Sequence, residues 1–316
     1  MQDSHGFHDG ERWVQARAGE TASAERTAAV LGDVLHSGAR AFIASQPLAA
    51  LGSIDGDGQV WASLVLGKPG FVQTPDEGSL VIGVPAPERD GADPLWTNLE
   101  GQPALGMLFI DLGTRRRYRV NGKVAHLDAA SARVTVREAY PNCPRYIQRR
   151  RLLALGVPQP PGTAVQGSGL RGAAADIVAA ADTLFVASRH VQAGADVSHR
   201  GGSPGFVRLV DEHTLRIPDF AGNGLFNTLG NLHADPRAGL CILDFARGLL
   251  LQLTGTATLL WDQDDTTGET GGTGRWWEFK VLRWILRATS RALRWEYLEA
   301  SPCNPALAIT PPYVKR

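Results

Sequence analysis

The chain has 316 residues, 43% of them apolar and 20% charged, with Lys+Arg and Asp+Glu balanced at 32 each. That length leaves room for two domains or one domain built twice around a sizeable core, and the balanced charge, without a basic stripe, argues against a nucleic-acid partner. Three cysteines, Cys143, Cys241 and Cys303, lie far apart with no C-x-x-C pair, which excludes a disulfide framework or zinc ribbon and suits a reducing compartment.

The N-terminal stretch has no apolar core of the kind a signal peptide needs, and the longest apolar runs, such as Leu249 to Leu253, fall far short of the roughly 20 residues of a membrane helix. A cytoplasmic protein without a membrane partner is the expectation. Thr21 to Ser37 is Ala-rich with Val30, Leu31, Val34 and Leu35 at helical spacing, which predicts a helix stopped at Gly38. A second helical piece covers Ala41 to Gln46. Alternation then takes over: Leu48 to Ile54 and Val60 to Leu66 flank an Asp-Gly turn at Asp55 to Gly58, a hairpin signal. Further strands are expected at Phe71 to Gln73, Leu80 to Val84, Ala104 to Asp111 and Tyr118 to Leu127. Strands that follow one another without intervening helices disfavour a doubly wound nucleotide fold.

From Ala129 to Arg151 the pattern reads as helical, broken by Pro141 to Pro144, and Gly156 to Gly172 reads as a Pro/Gly-rich linker. A short helix at Ala173 to Ala181 precedes strands at Leu184 to Ser188, Phe206 to Val210, Leu215 to Pro218, Ala238 to Asp244 and Leu249 to Leu260. Trp276 to Leu286 satisfies both the helical and the strand period. The implied division is a helical segment over 1–47, a first β unit over 48–128, helix and linker over 129–182, and a second β unit over 183–316.

The two units are related. Pro69-Gly70-Phe71-Val72 recurs as Pro204-Gly205-Phe206-Val207, and the same offset pairs Ser53 with Ser188, Ser63 with Ser198 and Leu80 with Leu215. A slightly shorter offset pairs Asn98 with Asn231, Gly106 with Gly239, Arg119 with Gln252 and Gly122 with Gly255. A repeat this long implies two similar domains packed as a pseudo-dimer. The copies diverge where chemistry would sit: Ser198 to Gly202 is SHRGG against SLVLG in the first half, and Phe226 to Asn231 is FNTLGN against DPLWTN. A Gly-rich turn around His199 to Gly205 and a second polar turn from Asp219 to Asn231 therefore read as the ligand corners, since glycine lets a backbone converge its N–H groups on an anion. An ordinary meander with tight turns is the other reading of the same corners.

The segments GADVSHRGGSPGFV, IPDFAGNGLFNTLGNL, DPRAGL and LQLTG within Gly194 to Gly255, with Phe7 to Gly19 and Tyr140 to Arg151 in support, resemble the pyridoxamine 5'-phosphate oxidase-like FMN-binding split barrels in their tandem form. The resemblance implies a mainly β protein with flanking helices, built as two tandem six-stranded antiparallel split barrels, with FMN held where they meet. It further implies that Ser203, Pro204, Gly205 and Phe206 lead into the strand under the flavin ring, that Arg200 with His199 and Gly201 lies near the ring or phosphate, and that Asn227, Thr228 and Asn231 donate to the phosphate. Gln252 would reach the flavin from the next strand. Relatives often carry Arg or Lys in the phosphate loop, and this chain does not. Tyr146, Arg149 and Arg150 would close the cleft from the linker side. Each of the flavin residues also reads as a strand or turn former, His199 as a structural histidine and Cys143 as a buried thiol. The implied activity is an FMN-dependent oxidoreductase using a small-molecule substrate and an external donor, NAD(P)H or a reductase, in a chain that could form a homodimer. A non-enzymatic flavin carrier or sensor, and a split barrel holding deazaflavin or haem, are the alternatives. No metal site and no catalytic residue is expected from the residues themselves.

Overall fold

A computed structural model describes residues 6–160 and 162–305. The first sheet contains β1 (Leu48–Ile54), β2 (Val60–Leu66), β3 (Val72–Gln73), β4 (Ser79–Ile82), β5 (Ala104–Asp111), β6 (Arg116–Leu127) and β7 (Ala132–Asn142), in the order β2-β1-β5-β6-β7-β4-β3. After β8 (Arg149–Pro158) and β9 (Val165–Gly167), the second sheet is built from β10 (Thr183–His190), β11 (Gly194–Gly201), β12 (Arg208–Asp211), β13 (Thr214–Pro218), β14 (Arg237–Asp244), β15 (Leu249–Leu260) and β16 (Trp276–Ala288). Its order, β11-β10-β14-β15-β16-β13-β12, repeats the first strand for strand, and β9 adds to β16. The last strand, β17 (Arg291–Glu299), pairs with β8 outside both sheets. The fold is thus mainly β with flanking helices, a split-barrel architecture with seven and eight strands where six were expected; the short edge strands β3 and β12 and the added β9 make the difference.

Alternation explains why so many strands read as unbroken apolar runs. In β1, Ala49 and Leu51 join the core of the first sheet, whereas Leu48 and Ala50 face the second half. In β10, Leu184 and Val186 fill the second core while Phe185 and Ala187 face the first. Both faces of these strands are buried, so both parities must be apolar. The core between the halves draws on Val60, Leu108 and Ile110 from one side and Val197, Cys241 and Leu250 from the other.

Side chains also match across the halves. The Asn98 amide donates to Ser53 Oγ at 2.9 Å, and the Asn231 amide donates to Ser188 Oγ at 2.9 Å. Gly70 and Gly205 hold φ of 93° and 91° in equivalent turns, a region open to glycine. A Cβ on Gly106 would come within 2.6 Å of the Asp196 backbone, and one on Gly239 within 2.6 Å of the Trp61 backbone. Each sheet therefore touches the other at a glycine, and no side chain fits between them.

Two helices expected from the sequence are not formed as such. The helix expected from residue 129 onward is strand: in β7, Ala132, Val134 and Val136 are buried while Arg133, Thr135 and Arg137 are exposed, a period of two that β-branched residues reinforce. The helix expected over Thr21 to Ser37 ends at Ala28 as α2 (Thr21–Ala28), and the chain then runs irregularly to α3 (Ser37–Ser45), with Gly32 bridged to Ala139. Val30 and Val34, which supplied the helical spacing, are solvent-exposed.

Three further helices position the site: α1 (Asp9–Arg17), α4 (Pro94–Gly101) and α6 (Asn227–Ala234). The α5 helix (Ala173–Ala180) lies where the sequence places it. Helix α1 packs on α6 at a glycine pair, with a Cβ on Gly10 only 2.2 Å from Gly230 O. Glu11 is buried there, accepting from the Asn227 amide at 2.6 Å and from His8 N at 2.9 Å. Burial pushes its carboxyl up to about 8, while His8, half-buried and stacked on His190 at 4.0 Å, is pushed down to about 4 by its partial burial and by His190.

Two measurements test these contacts. Gly106→Ala and Gly239→Ala should each lower stability by about 1–3 kcal/mol in urea unfolding, the cost of overpacking, although they lie in different halves. Glu11 keeps its proton longer in the folded state than in the unfolded one, so its contribution falls as pH rises between its unfolded and folded pKa values. His8, His190 and His199 have the opposite sign, but they act equally in Glu11→Gln, so the difference between the two proteins over pH 6.5 to 8 isolates Glu11. Relative to Glu11→Gln, the protein should lose about 1.5 kcal/mol across that window; equal slopes would remove Glu11 as the cause.

Candidate functional site

One cleft opens where the halves meet, between the start of α6, the end of β11 and the β7–β8 loop. Its walls include Arg117, Arg119, Asn142, Tyr146, Ser198, His199, Arg200, Phe206, Asp219, Phe220, Phe226, Asn227 and Thr228. The second half contributes the floor and the helix end, and the first half contributes Arg117 and Arg119 on β6 with Asn142 and Tyr146.

The electrostatics are those of an anion site. Arg117 donates to the carbonyls of Cys143 at 2.6 Å and His199 at 3.3 Å, and forms no ion pair among the described residues. Burial pushes its guanidinium down to about 9, and Arg119 and Arg200 push the same way. Arg119 faces the buried Asp196 at 3.0 Å and donates to Tyr140 Oη, Val197 O and Ser198 Oγ. Arg200 has only a distant carboxylate, Asp219 at 3.8 Å, which Arg275 holds at 3.0 Å. His199 is 2% exposed with neither ring nitrogen hydrogen-bonded. Burial, and then Arg117, Arg200 and Arg150, hold it well below its usual range and therefore neutral. A buried imidazole without a partner leaves a donor and an acceptor unmade.

Helix α6 begins at this cleft. Its N-cap, Phe226, sits at φ 59°, ψ 26° and no side chain caps the helix, so the first N–H groups lack intrahelical partners and carry the positive end of the helix dipole.

The first half carries the equivalent of this cleft, and it is filled. There α4 starts at Asp93, the counterpart of Phe226, whose carboxylate accepts from Leu95 N at 3.1 Å and from Ser63 Oγ at 2.6 Å. Arg287 reaches the same carboxylate at 2.5 Å and Asp90 at 2.7 Å. Leu64, Val65 and Leu66 stand where His199, Arg200 and Gly201 stand in the second half. The free volume is about 20 Å³ there against about 90 Å³ in the second-half cleft, and both open to solvent to a similar degree. A roomier depression of about 490 Å³ beside Glu88, Gln159 and Thr289 has no buried, unpartnered side chain facing it among the described residues.

Of the residues named from sequence, His199, Arg200, Gly201, Phe206, Asn227 and Thr228 line the cleft, and Tyr146 closes it from the β7–β8 side. His199 to Gly201 belong to β11, because the Gly-rich turn begins only at Gly202, and Asn227, Thr228 and Asn231 lie in α6, not in a turn. Ser203, Pro204 and Gly205 form the turn that seats Phe206 and do not line the cleft. Asn231 points away, to Ser188 and His8. Gln252 faces the filled cleft instead, donating to Ala62 O and Ser63 Oγ at 2.9 Å and accepting from Arg287. Its counterpart Arg119 makes the mirrored contacts to Val197 O and Ser198 Oγ. Arg149 and Arg150 are held by Glu299 and Asp182, outside the cleft. No metal-binding cluster occurs among the described residues.

Phe220 and Phe226 are not assigned from sequence, and Arg117 only as part of the basic run Arg115 to Arg117, which reads equally as a solvated face or as a phosphate or partner contact. Which of the three arginines faces inward depends on strand parity: Arg116 is exposed, while Arg117 turns toward the other half.

The family model described as pyridoxamine 5'-phosphate oxidase matches residues 35–157. A comparison with curated proteins finds no match. Among solved structures, HupZ from Group A Streptococcus is similar at 17% identity, over 34% of this chain and 86% of its own, with a TM-score of 0.29. A putative pyridoxamine 5'-phosphate oxidase from Lactobacillus delbrueckii is similar at 11% identity, over 33% and 83%, with a TM-score of 0.27. A pyridoxamine 5'-phosphate oxidase-related, FMN-binding protein from Nostoc punctiforme is similar at 18% identity, over 32% and 53%, with a TM-score of 0.23. The match to the pyridoxamine 5'-phosphate oxidase family model thus covers residues 35–157, which hold the whole of the first sheet.

Proposed function

We propose that the second-half cleft binds FMN with its phosphate at the start of α6, and that the protein is an FMN-dependent oxidoreductase acting on a small molecule with NAD(P)H or a reductase as donor. The observation that carries this reading is the uncapped start of α6 facing Arg117, a half-buried cation that pairs with no carboxylate among the described residues. Helix amides and a guanidinium together suit a phosphate. Arg200, its Nε unpartnered, adds a second cation, and neutral His199 offers one donor and one acceptor.

FMN would supply hydride or electron transfer at its ring. The chain's own part is to bind the anion, exclude water with Phe206, Phe220 and Tyr146, and present hydrogen-bond donors. Tyr146 is fixed for this by its hydroxyl, which donates to Ala221 O at 2.9 Å. Asp219 in the cleft wall is held by Arg275, and Asp196 behind the wall is held by Arg119, so neither is available as a base. That feature favours the second reading, a flavin carrier without catalysis of its own.

The purified protein should take up FMN and show an oxidised-flavin spectrum that NAD(P)H or a reductase bleaches. A protein that binds no FMN overturns the proposal, a haem or deazaflavin spectrum replaces the cofactor, and bound flavin that no donor reduces selects the carrier. Arg117→Met and Arg200→Met should each weaken FMN binding by about 10- to 100-fold, the scale of one hydrogen bond to a charged group. Leu250→Met, at the counterpart of Arg117, should change it less than about twofold. Equal losses at both positions would refute a single site in the second half.

A further inference from the structure

We infer that the first-half cleft is the same anion site closed by the chain's own carboxylate, so that each chain takes one anionic ligand and the Asp93–Arg287 pair excludes a second. This rests on reading the second-half cleft as an anion site, but not on the anion being FMN.

The equivalence is carried by cross-strand pairs. In the first sheet Arg117 lies opposite Asn142, and at the matching place in the second sheet Leu250 lies opposite Arg287. Each cleft thus has a helix start facing a strand pair that contains one arginine, supplied by the opposite half and on the opposite strand of the pair. Beside them Arg119 and Gln252 make the same two contacts in mirror image. The difference is the residue before the helix. Asp93 satisfies α4, Ser63 and Arg287 together, and the Arg287 side chain is only 3% exposed. Phe226 supplies no such group, and what is left over is a guanidinium, free helix amides and the unpartnered ring of the buried His199. The carboxylate of Asp93 shows chemically what the second-half cleft lacks: an anion that accepts from a helix N-terminus and an arginine at once.

Removing the internal anion should therefore create a demand for an external one. In chloride buffer Asp93→Ala should melt about 5 °C or more below the parent, because a buried arginine loses one of its two carboxylates. Millimolar inorganic phosphate should restore at least half of that loss in Asp93→Ala, beyond the shift phosphate produces in the parent chain and in Arg117→Met. A variant that gains no more from phosphate than the parent overturns the inference and leaves Asp93 as a helix cap only. Should Asp93→Ala not fold, Asp93→Asn gives the same comparison. The unaltered chain provides an independent check: equilibrium dialysis with phosphate should find one bound equivalent, and two would overturn the inference. Rescue of Asp93→Ala alongside no phosphate uptake by the parent would uphold the closed site and sink the reading of the open one.

Discussion

The close approach of the two sheets is the constraint on which the rest depends. Backbone meets backbone at Gly106 and Gly239, and the apolar layer around those contacts is shared by both halves. At that spacing an unpartnered polar group is costly, since water has no room to supply a partner. Arg119 and Gln252 occupy the two equivalent places where a long side chain crosses from one half to the other, and each ends on a carbonyl and a serine hydroxyl of the opposite sheet. Asp196 neutralises the charge that Arg119 brings and Gln252 brings none, so the charge of each cleft is set by the residue before its helix, Asp93 or Phe226.

Much of this was legible because strand chemistry is local. The β5 and β15 bounds follow from apolar alternation and flanking turns, and the constant offset between Pro69-Gly70-Phe71 and Pro204-Gly205-Phe206 corresponds to an identical strand order. Of the short helices α5 was legible, whereas α1, α4 and α6 were not. Helix α6 contains Asn227, Thr228 and Gly230, residues that favour turns, and it is held by α1 packing onto it from more than two hundred residues away. Such a helix is stabilised by tertiary contact and leaves little trace in composition. The same holds for Asn231, whose polar side chain suggested a ligand and instead braces Ser188 as Asn98 braces Ser53.

The cleft itself was half legible. His199 and Arg200 stood out because their counterparts are Leu64 and Val65, and a polar residue at a position the sibling fills with an apolar one needs a reason. Arg117 did not stand out, because the comparison that marks it runs across the halves: its counterpart is Leu250, while the cation it corresponds to lies on the neighbouring strand as Arg287. Sequence alignment of the halves equates residues by position, whereas a cleft needs only a charge at a point in space, and either strand of a pair can deliver it.

The β8–β17 ribbon has a mechanical meaning. Each half ends in a strand that leaves its own sheet and clasps the final strand of the other, with Arg151 bound to Glu296 and Arg149 to Glu299 across the seam. The connecting segment between the halves is therefore not what keeps them together. A single backbone cut near residue 160 would leave two fragments still interlocked through the ribbon and the shared apolar layer, with the cleft walls in register.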